Sequence, residues 1–183
     1  MELAQRLKNR EETAFAEVVD TYGDELKRGC LLMVRDRLLA EEIVQDTFVQ
    51  AFRKIEQLED GSKLKSWLTS IAFNKCRSEL RKQKWKLFSF DEYEHHFENV
   101  HYDDPESSIE AYSRRHTLSR ALMGLKQKYR EVLILFYYQE YSIEEIVHIL
   151  DAKTSTIKSR LHRGRQEMQK KLEEGGDFHE FER

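Results

Sequence analysis

The amino-acid sequence predicts an all-α protein of two small helical bundles joined by a flexible acidic linker, the second bundle containing a helix-turn-helix. Three observations point there. Of 183 residues 36% are charged, with one proline and seven glycines, a composition that favours long helices over hairpins and sheet. Apolar residues recur at three- and four-residue intervals, the period of a helix with one buried stripe. Charge is segregated although the net charge is only −3: Lys75–Lys86 holds six Lys/Arg against one acid, Lys153–Leu172 seven against one, and Leu87–Ala111 between them has eight acids and no Lys or Arg. The end, Glu173–Arg183, adds five acids and one base. Basic blocks set apart by acidic ones are the layout of two electrostatic footprints on a solvated strap.

The first helix is expected on Phe15, Val18, Val19, Tyr22 and Leu26, running on through Leu31 and Leu32. After a polar break at Val34–Arg37, a second from about Leu39 buries Ile43, Val44, Phe48, Ala51, Phe52 and Ile55. Gly61 is expected to stop it and Ser62 to cap the next helix. That third helix uses Leu64, Trp67, Leu68, Ile71 and Ala72 and continues through Cys76 and Leu80, completing a first bundle over residues 1–86. Residues 87–108 show no sustained period and hold the only proline, so they form the linker, with Phe88, Phe90 and Phe97 as points where it can dock. The second bundle, residues 109–183 with the acidic tail, begins with one helix over Leu118, Leu122 and Leu125 and another over Val132, Leu133 and Phe136.

The most informative stretch is Tyr141–Leu172. Ser142 followed three residues later by Glu145 is a capping box, so a short helix starts there and turns Ile143, Ile146, Val147 and Leu150 inward. Asp151-Ala152-Lys153 is a break of the right length for a sharp turn, after which Thr154 or Ser155 is expected to cap a second helix. Ile157, Leu161, Gly164, Met168 and Leu172 lie within about 80° of one another at 100° per residue. Ser155, Ser159, His162, Arg163 and Gln166 collect on the opposite side, with Lys158 on its shoulder. A helix-turn-helix whose second member offers polar and basic groups fits a reader of the major groove. The plainer alternative is a solvated basic face on an ordinary helix pair.

Several classes of function are not expected. The opening stretch, MELAQRLKNREE, is charged throughout and lacks the apolar core of a secretory leader, which points to the cytoplasm. The longest apolar run, Val132–Tyr138, is far short of the roughly 20 residues that span a bilayer. Cys30 and Cys76 form no CxxC or Cys/His pairing, so neither a disulfide framework nor a zinc site is expected, only ordinary helix residues in a reducing compartment. His95, His96 and His101 sit among Glu98, Asp103 and Asp104 but match no ligand spacing on a rigid element, so no metal is assigned. A nucleophile, a phosphate loop and paired carboxylates are all missing as patterns; no catalytic residue, cofactor or small-molecule substrate is expected.

Leu125–Arg165, most closely at REVL, SIEEI and TIKSRLHRGR, resembles the second DNA-binding region of bacterial RNA polymerase sigma factors of the extracytoplasmic-function group. Independently, AEEIVQDTFVQAFRKI at Ala40–Ile55 is similar to the core-polymerase-binding helix of that family, and WLTSIAFNKCRSELRKQ at Trp67–Gln83 to its minus-ten region. The resemblance covers roughly Thr13–Trp85 and Ile109–Leu172. The sequence departs from the family pattern at four places: Asp151 and Ser155 stand where glycine is usual, Lys126 where proline is common, and Val147 where a small residue is expected.

The resemblance implies an alternative sigma factor that directs core polymerase to promoters and assists their opening. It places minus-thirty-five contacts on Lys158, Ser159, His162 and Arg163, with Thr156 and Arg160 as phosphate or framework positions. Arg163 suits bidentate recognition of guanine, and Ser159 and His162 suit base edges or phosphates. It also implies that Asn74 reads a non-template base at the minus-ten element while Lys75, Arg77, Arg81 and Lys82 hold phosphates and Glu59–Lys65 walls a pocket for a flipped base. An Asn in a helix also has the simpler option of bonding within it. Gln45, Asp46, Phe48, Val49 and Phe52 are the implied polymerase-binding residues, facing the clamp coiled coil, with the polymerase flap as a second contact. Promoter DNA and an anti-sigma factor, often membrane-bound in the family, complete the implied partners. Trp67 lies on a buried stripe and is read as core; Trp85, in a basic stretch, is the more exposed aromatic. The acidic linker and tail are expected to compete with phosphate for the basic helices. The rival readings are a stand-alone helix-turn-helix regulator, which binds a palindrome without polymerase, and a protein-interaction module that does not read DNA.

Overall fold

The computed structural model describes residues 3–89 and 117–174, the side chains of 84–89 excepted. All regular elements among them are helical, as expected. In chain order they are α1 (Leu3–Lys8), α2 (Glu12–Val34), α3 (Arg37–Lys54), 3-10 turns at Ile55–Gln57 and Gly61–Lys63, and α4 (Leu64–Ser89). Next come α5, seen over residues 117–123, α6 (Gln127–Leu133) with a π-helical turn at Ile134–Tyr138, α7 (Ile143–Leu150) and α8 (Thr154–Glu174). No described helix is long and apolar enough to cross a membrane. The chain divides into two compact units, Met1–Glu98 with Val147–Asp151 and Asn99–Ile146 with Ala152–Arg183. The linker beyond Ser89, its histidine cluster, the Trp85 side chain and the acidic tail lie outside the described residues.

The polar break at Val34–Arg37 works as two caps in succession. Arg35 takes the left-handed conformation at φ 65°, and its N–H donates to Leu31 O, ending α2. Asp36 then accepts from Leu39 N at 2.9 Å and opens α3, a contact whose loss costs about 1 kcal/mol. The second break differs from expectation. α3 ends at Lys54, before a 3-10 turn, so Gly61 does not stop it; and Asp60, not Ser62, is the capping side chain, accepting from Ser62 N at 3.0 Å and Ser62 Oγ at 2.6 Å. A carboxylate two residues ahead reaches both donors at once, which the Ser62 hydroxyl cannot do for itself.

Ala14, Val18, Leu26, Cys30 and Met33 of α2 meet Ile43, Val44, Phe48 and Ala51 of α3 and Leu68, Ala72, Phe73 and Cys76 of α4 in the first core, each below a tenth exposed. Phe15, Val19 and Tyr22 sit at its edge, half-buried; Phe15 packs edge-on to Phe52 with ring centroids 5.2 Å apart. Trp67, expected in the core, is half-buried at its edge and lines a small apolar cavity with Leu7, Phe15, Phe48 and Leu68. Cys30 and Cys76, distant in sequence, meet here as free buried thiols. Their mutual hydrogen bond, with burial, pushes the Cys30 thiol well above its usual range, which keeps it protonated. In the second unit Leu125, Tyr129, Val132, Leu133, Ile157 and Leu161 are buried.

Candidate nucleic-acid and polymerase interfaces

α8 starts where its backbone first closes on itself: Thr156 N and Ile157 N both donate to Lys153 O, at 2.9 and 3.1 Å. Lys153 is therefore the N-cap residue, rather than Thr154 or Ser155. The turn before it holds Asp151 at φ 48°. Ahead of the turn the predicted capping box is formed in full: Glu145 N donates to Ser142 Oγ at 3.2 Å, and Ser142 N donates to Glu145 Oε2 at 2.8 Å.

The buried side of α8 carries Ile157, Leu161 and Gly164. Gly164 lets α6 come close: a Cβ there would lie 3.3 Å from Leu133 Cγ and Cδ1 and 3.4 Å from Tyr129 Cβ, tight enough that the Leu133 side chain would have to give way by a few tenths of an ångström. Opposite, Ser155, Lys158, Ser159, His162, Arg163 and Gln166 are all exposed, while Thr156 and Arg160 are half-buried on the flank. Lys158, Ser159, His162 and Arg163 have no side-chain hydrogen bond or ion pair to another described residue. Their side chains are left to solvent. Arg165 is exposed, and its Nη1 donates to Tyr137 Oη at 3.5 Å.

α4 presents its candidate residues differently. Asn74 is exposed, and its Oδ1 accepts from Arg77 Nη2 at 2.8 Å, the within-helix bond that an asparagine has as its simpler option. Lys75 Nζ lies 3.0 Å from Asp46 Oδ2 on α3. Lys82 Nζ lies 2.6 Å from Glu79 Oε1. Arg81 is exposed at the far end. The Asp60 loop beside the start of α4 is pinned by the Ser62 hydrogen bonds, which hold the Asp60 carboxyl below its ordinary range.

On α3, Gln45, Asp46 and Val49 face solvent. Phe48 does not: it is 5% exposed and belongs to the core. Phe52 is half-buried beneath Arg10, whose guanidinium stands 4.8 Å over its ring and whose Nη1 donates to Phe52 O at 2.8 Å. The apolar periodicity that located α3 cannot by itself separate an inward Phe from an outward one. The exposed stripe gains a member instead, Leu38, 76% exposed, seven residues before Gln45 and eleven before Val49 and so on the same side of the helix.

Three contacts escaped sequence reading. Lys75–Asp46 joins two residues assigned to different surfaces; Arg10 covers Phe52; and Arg160 Nη1 meets Glu131 Oε1 at 3.1 Å, with the Glu131 side chain 4% exposed. Only the last had a sequence signal, a charged pair, Arg130-Glu131, set just ahead of an apolar run. Among the described residues no group of three or more His, Cys, Asp or Glu could hold a metal.

Residues 18–86 match the family model for sigma-70 region 2, and residues 115–168 that for sigma-70 region 4. The chain is 30% identical over 175 residues to the ECF RNA polymerase sigma factor SigW of Bacillus subtilis (strain 168), covering 92% of this chain and 94% of that protein. It is 32% identical over 153 residues to SigM of the same organism, 83% of this chain and 91% of that one. Among solved structures it is similar to the sigma factor RpoE in complex with the anti-sigma factor NepR from Bartonella quintana, with a TM-score of 0.74, 27% identity, and 87% of this chain and 96% of that one covered. CnrH in complex with the cytosolic domain of CnrY shares the fold at a TM-score of 0.68 and 21% identity, over 93% and 95% of the two chains. A region 2 followed by a region 4 defines a transcription initiation factor of the sigma-70 type. The chain belongs to the ECF RNA polymerase sigma factors, alternative sigma factors that direct promoter-specific transcription initiation.

Proposed function

We propose that the first module, residues 1–86, binds core RNA polymerase and the minus-ten element, and that the second, residues 109–183, reads the minus-thirty-five element through α8, with residues 87–108 as the acidic strap between them. Lys158, Ser159, His162 and Arg163 make the minus-thirty-five contacts, and Thr156 sits at the backbone beside them. Asn74 reads the opened minus-ten strand with Lys75, Arg77, Arg81 and Lys82 at its phosphates. Gln45, Asp46 and Val49, extended by Leu38, meet the polymerase clamp, and Phe48 and Phe52 support that face from beneath. The second module also takes the polymerase flap. The protein works in the cytoplasm and catalyses nothing itself, since bond formation belongs to the polymerase. An anti-sigma factor, membrane-bound or soluble, controls it, in line with the solved relative held by NepR.

The observation that carries this reading is the exposed face of α8, polar and cationic with no partner among the described residues, raised by a fully formed capping box and a three-residue turn. Run-off transcription with purified core polymerase and sequencing of the selected promoters tests it. Lys158→Ala with Arg163→Ala is expected to abolish selectivity at the upstream element while leaving binding to core intact. Tight binding to a palindromic duplex in the absence of polymerase would instead favour a stand-alone regulator.

A further inference from the structure

Arg160 stands at the border between the buried and the exposed sides of α8. Its Nη1 donates to Glu131 Oε1 at 3.1 Å, with the two side chains 29% and 4% exposed. A carboxylate buried that far carries a desolvation penalty that an apolar contact avoids. Apolar contact between α6 and α8 is already supplied next to it, where Leu133 and Tyr129 close on Gly164. Sealing the seam therefore does not explain the pair. What the pair does accomplish is to fix a planar group with five donors on the flank it shares with Thr156 and Arg163, four residues before it and three after, both neighbours on a helix surface.

We propose that Glu131 is a positioning residue for DNA binding: from the buried side it orients Arg160 so that the remaining edge of the guanidinium takes a phosphate of the duplex backbone beside the reader face. The inference rests on the assignment of α8 to DNA. It places the specificity-neutral anchor of α8 on Arg160 and gives a buried acid of α6, which touches no ligand, a part in setting the register of the helix on the duplex.

The test uses the full chain and a mixed-sequence duplex about three helical turns long, with affinity measured across a salt series. Arg160→Gln is expected to weaken binding about three- to tenfold and to lower the salt slope by about one. Glu131→Gln is expected to weaken binding as well. That sign is diagnostic, because removing an acid beside a cationic face tightens binding when charge alone matters. Combining the two should weaken it no further than Arg160→Gln does. Either variant risks an unstable second unit, so Glu131→Leu with Arg160→Met, an apolar replacement of both partners, separates the roles: it should restore the melting temperature and leave affinity low. Wild-type affinity in that stable double variant, or tighter binding by Glu131→Gln, overturns the proposal. A wild-type chain that binds no duplex either alone or in complex with core polymerase overturns the DNA assignment of α8 and this inference with it, whereas wild-type binding with an unchanged salt slope in Arg160→Gln overturns this inference alone.

Discussion

The two cationic helices spend their charges differently in the free protein. On α4, Lys75 is paired with Asp46 at 3.0 Å, Lys82 with Glu79 at 2.6 Å, and Arg77 donates to Asn74 at 2.8 Å. On α8, Lys158, Ser159, His162 and Arg163 have no side-chain hydrogen bond or ion pair to a described residue. Each basic block has one internal acid, so composition does not account for the contrast. Placement does: Glu79 lies three residues before Lys82, Asp46 comes from a neighbouring helix, and Glu167 of α8 is half-buried. On the proposed assignment α8 would meet a duplex with its charges already free, whereas α4 would have to exchange partners before phosphates took their place. Exposed pairs are worth about 0–1 kcal/mol each, so that exchange is a small barrier and a tunable one.

The largest expected effect comes from the pair that is not exposed. Glu131→Ala removes the buried end of the tie and leaves a partly solvated Arg160, which should destabilise the second unit by about 2–3 kcal/mol, while Glu79→Ala on α4 should cost no more than about 0.5 kcal/mol. Urea unfolding followed by circular dichroism measures both. Similar losses for the two would erase the distinction between a buried tie in one unit and solvated ties in the other.

Next in size is Arg163→Ala. If α8 reads bases directly, loss of a bidentate guanine contact removes about 1–3 kcal/mol of discrimination, seen as relaxed promoter choice at a single upstream position in competitive run-off transcription. Arg81→Ala on α4 should instead lower affinity evenly across sequences, as loss of a phosphate contact does. A smaller change is expected from Asp46→Asn, which frees Lys75. Binding of the free chain to a single-stranded minus-ten oligonucleotide should rise by up to about fivefold, while affinity for core polymerase falls. Unchanged oligonucleotide binding would mean that the Lys75–Asp46 pair does not occlude the phosphate site.

Much of the layout was legible in the sequence because helical periodicity and capping chemistry are local. The Ser142/Glu145 box formed as written, and Ile157, Leu161 and Gly164 turned inward together. The features that escaped depended on contacts across the fold. Phe48 and Val49 are adjacent and both apolar, yet one is 5% and the other 46% exposed, because only the packing of α2 and α4 decides which flank of α3 is covered. The π-helical turn at Ile134–Tyr138, closed by Gln139 N donating to Ile134 O at 3.0 Å, has neither glycine nor proline to announce it. It leaves Tyr137 and Tyr138 55% and 40% exposed at the end of an otherwise buried run. Lys75–Asp46 and Cys30–Cys76 join residues 29 and 46 positions apart, beyond any local rule.

The smallest expected effect lies in the turn that carries the open face. Asp151 holds φ 48°, where a side chain other than glycine is strained against the following carbonyl. Glycine removes that strain but widens the unfolded ensemble, so the two terms partly cancel. Asp151→Gly should therefore stabilise the protein by only about 0.5 kcal/mol, a rise of a degree or two in melting temperature. Because the turn sets the entry of α8 without touching its exposed side, duplex affinity should not move. A change in affinity without a change in stability would show instead that the readiness of α8 depends on how rigidly this turn aims it, and not only on the lack of competing acids.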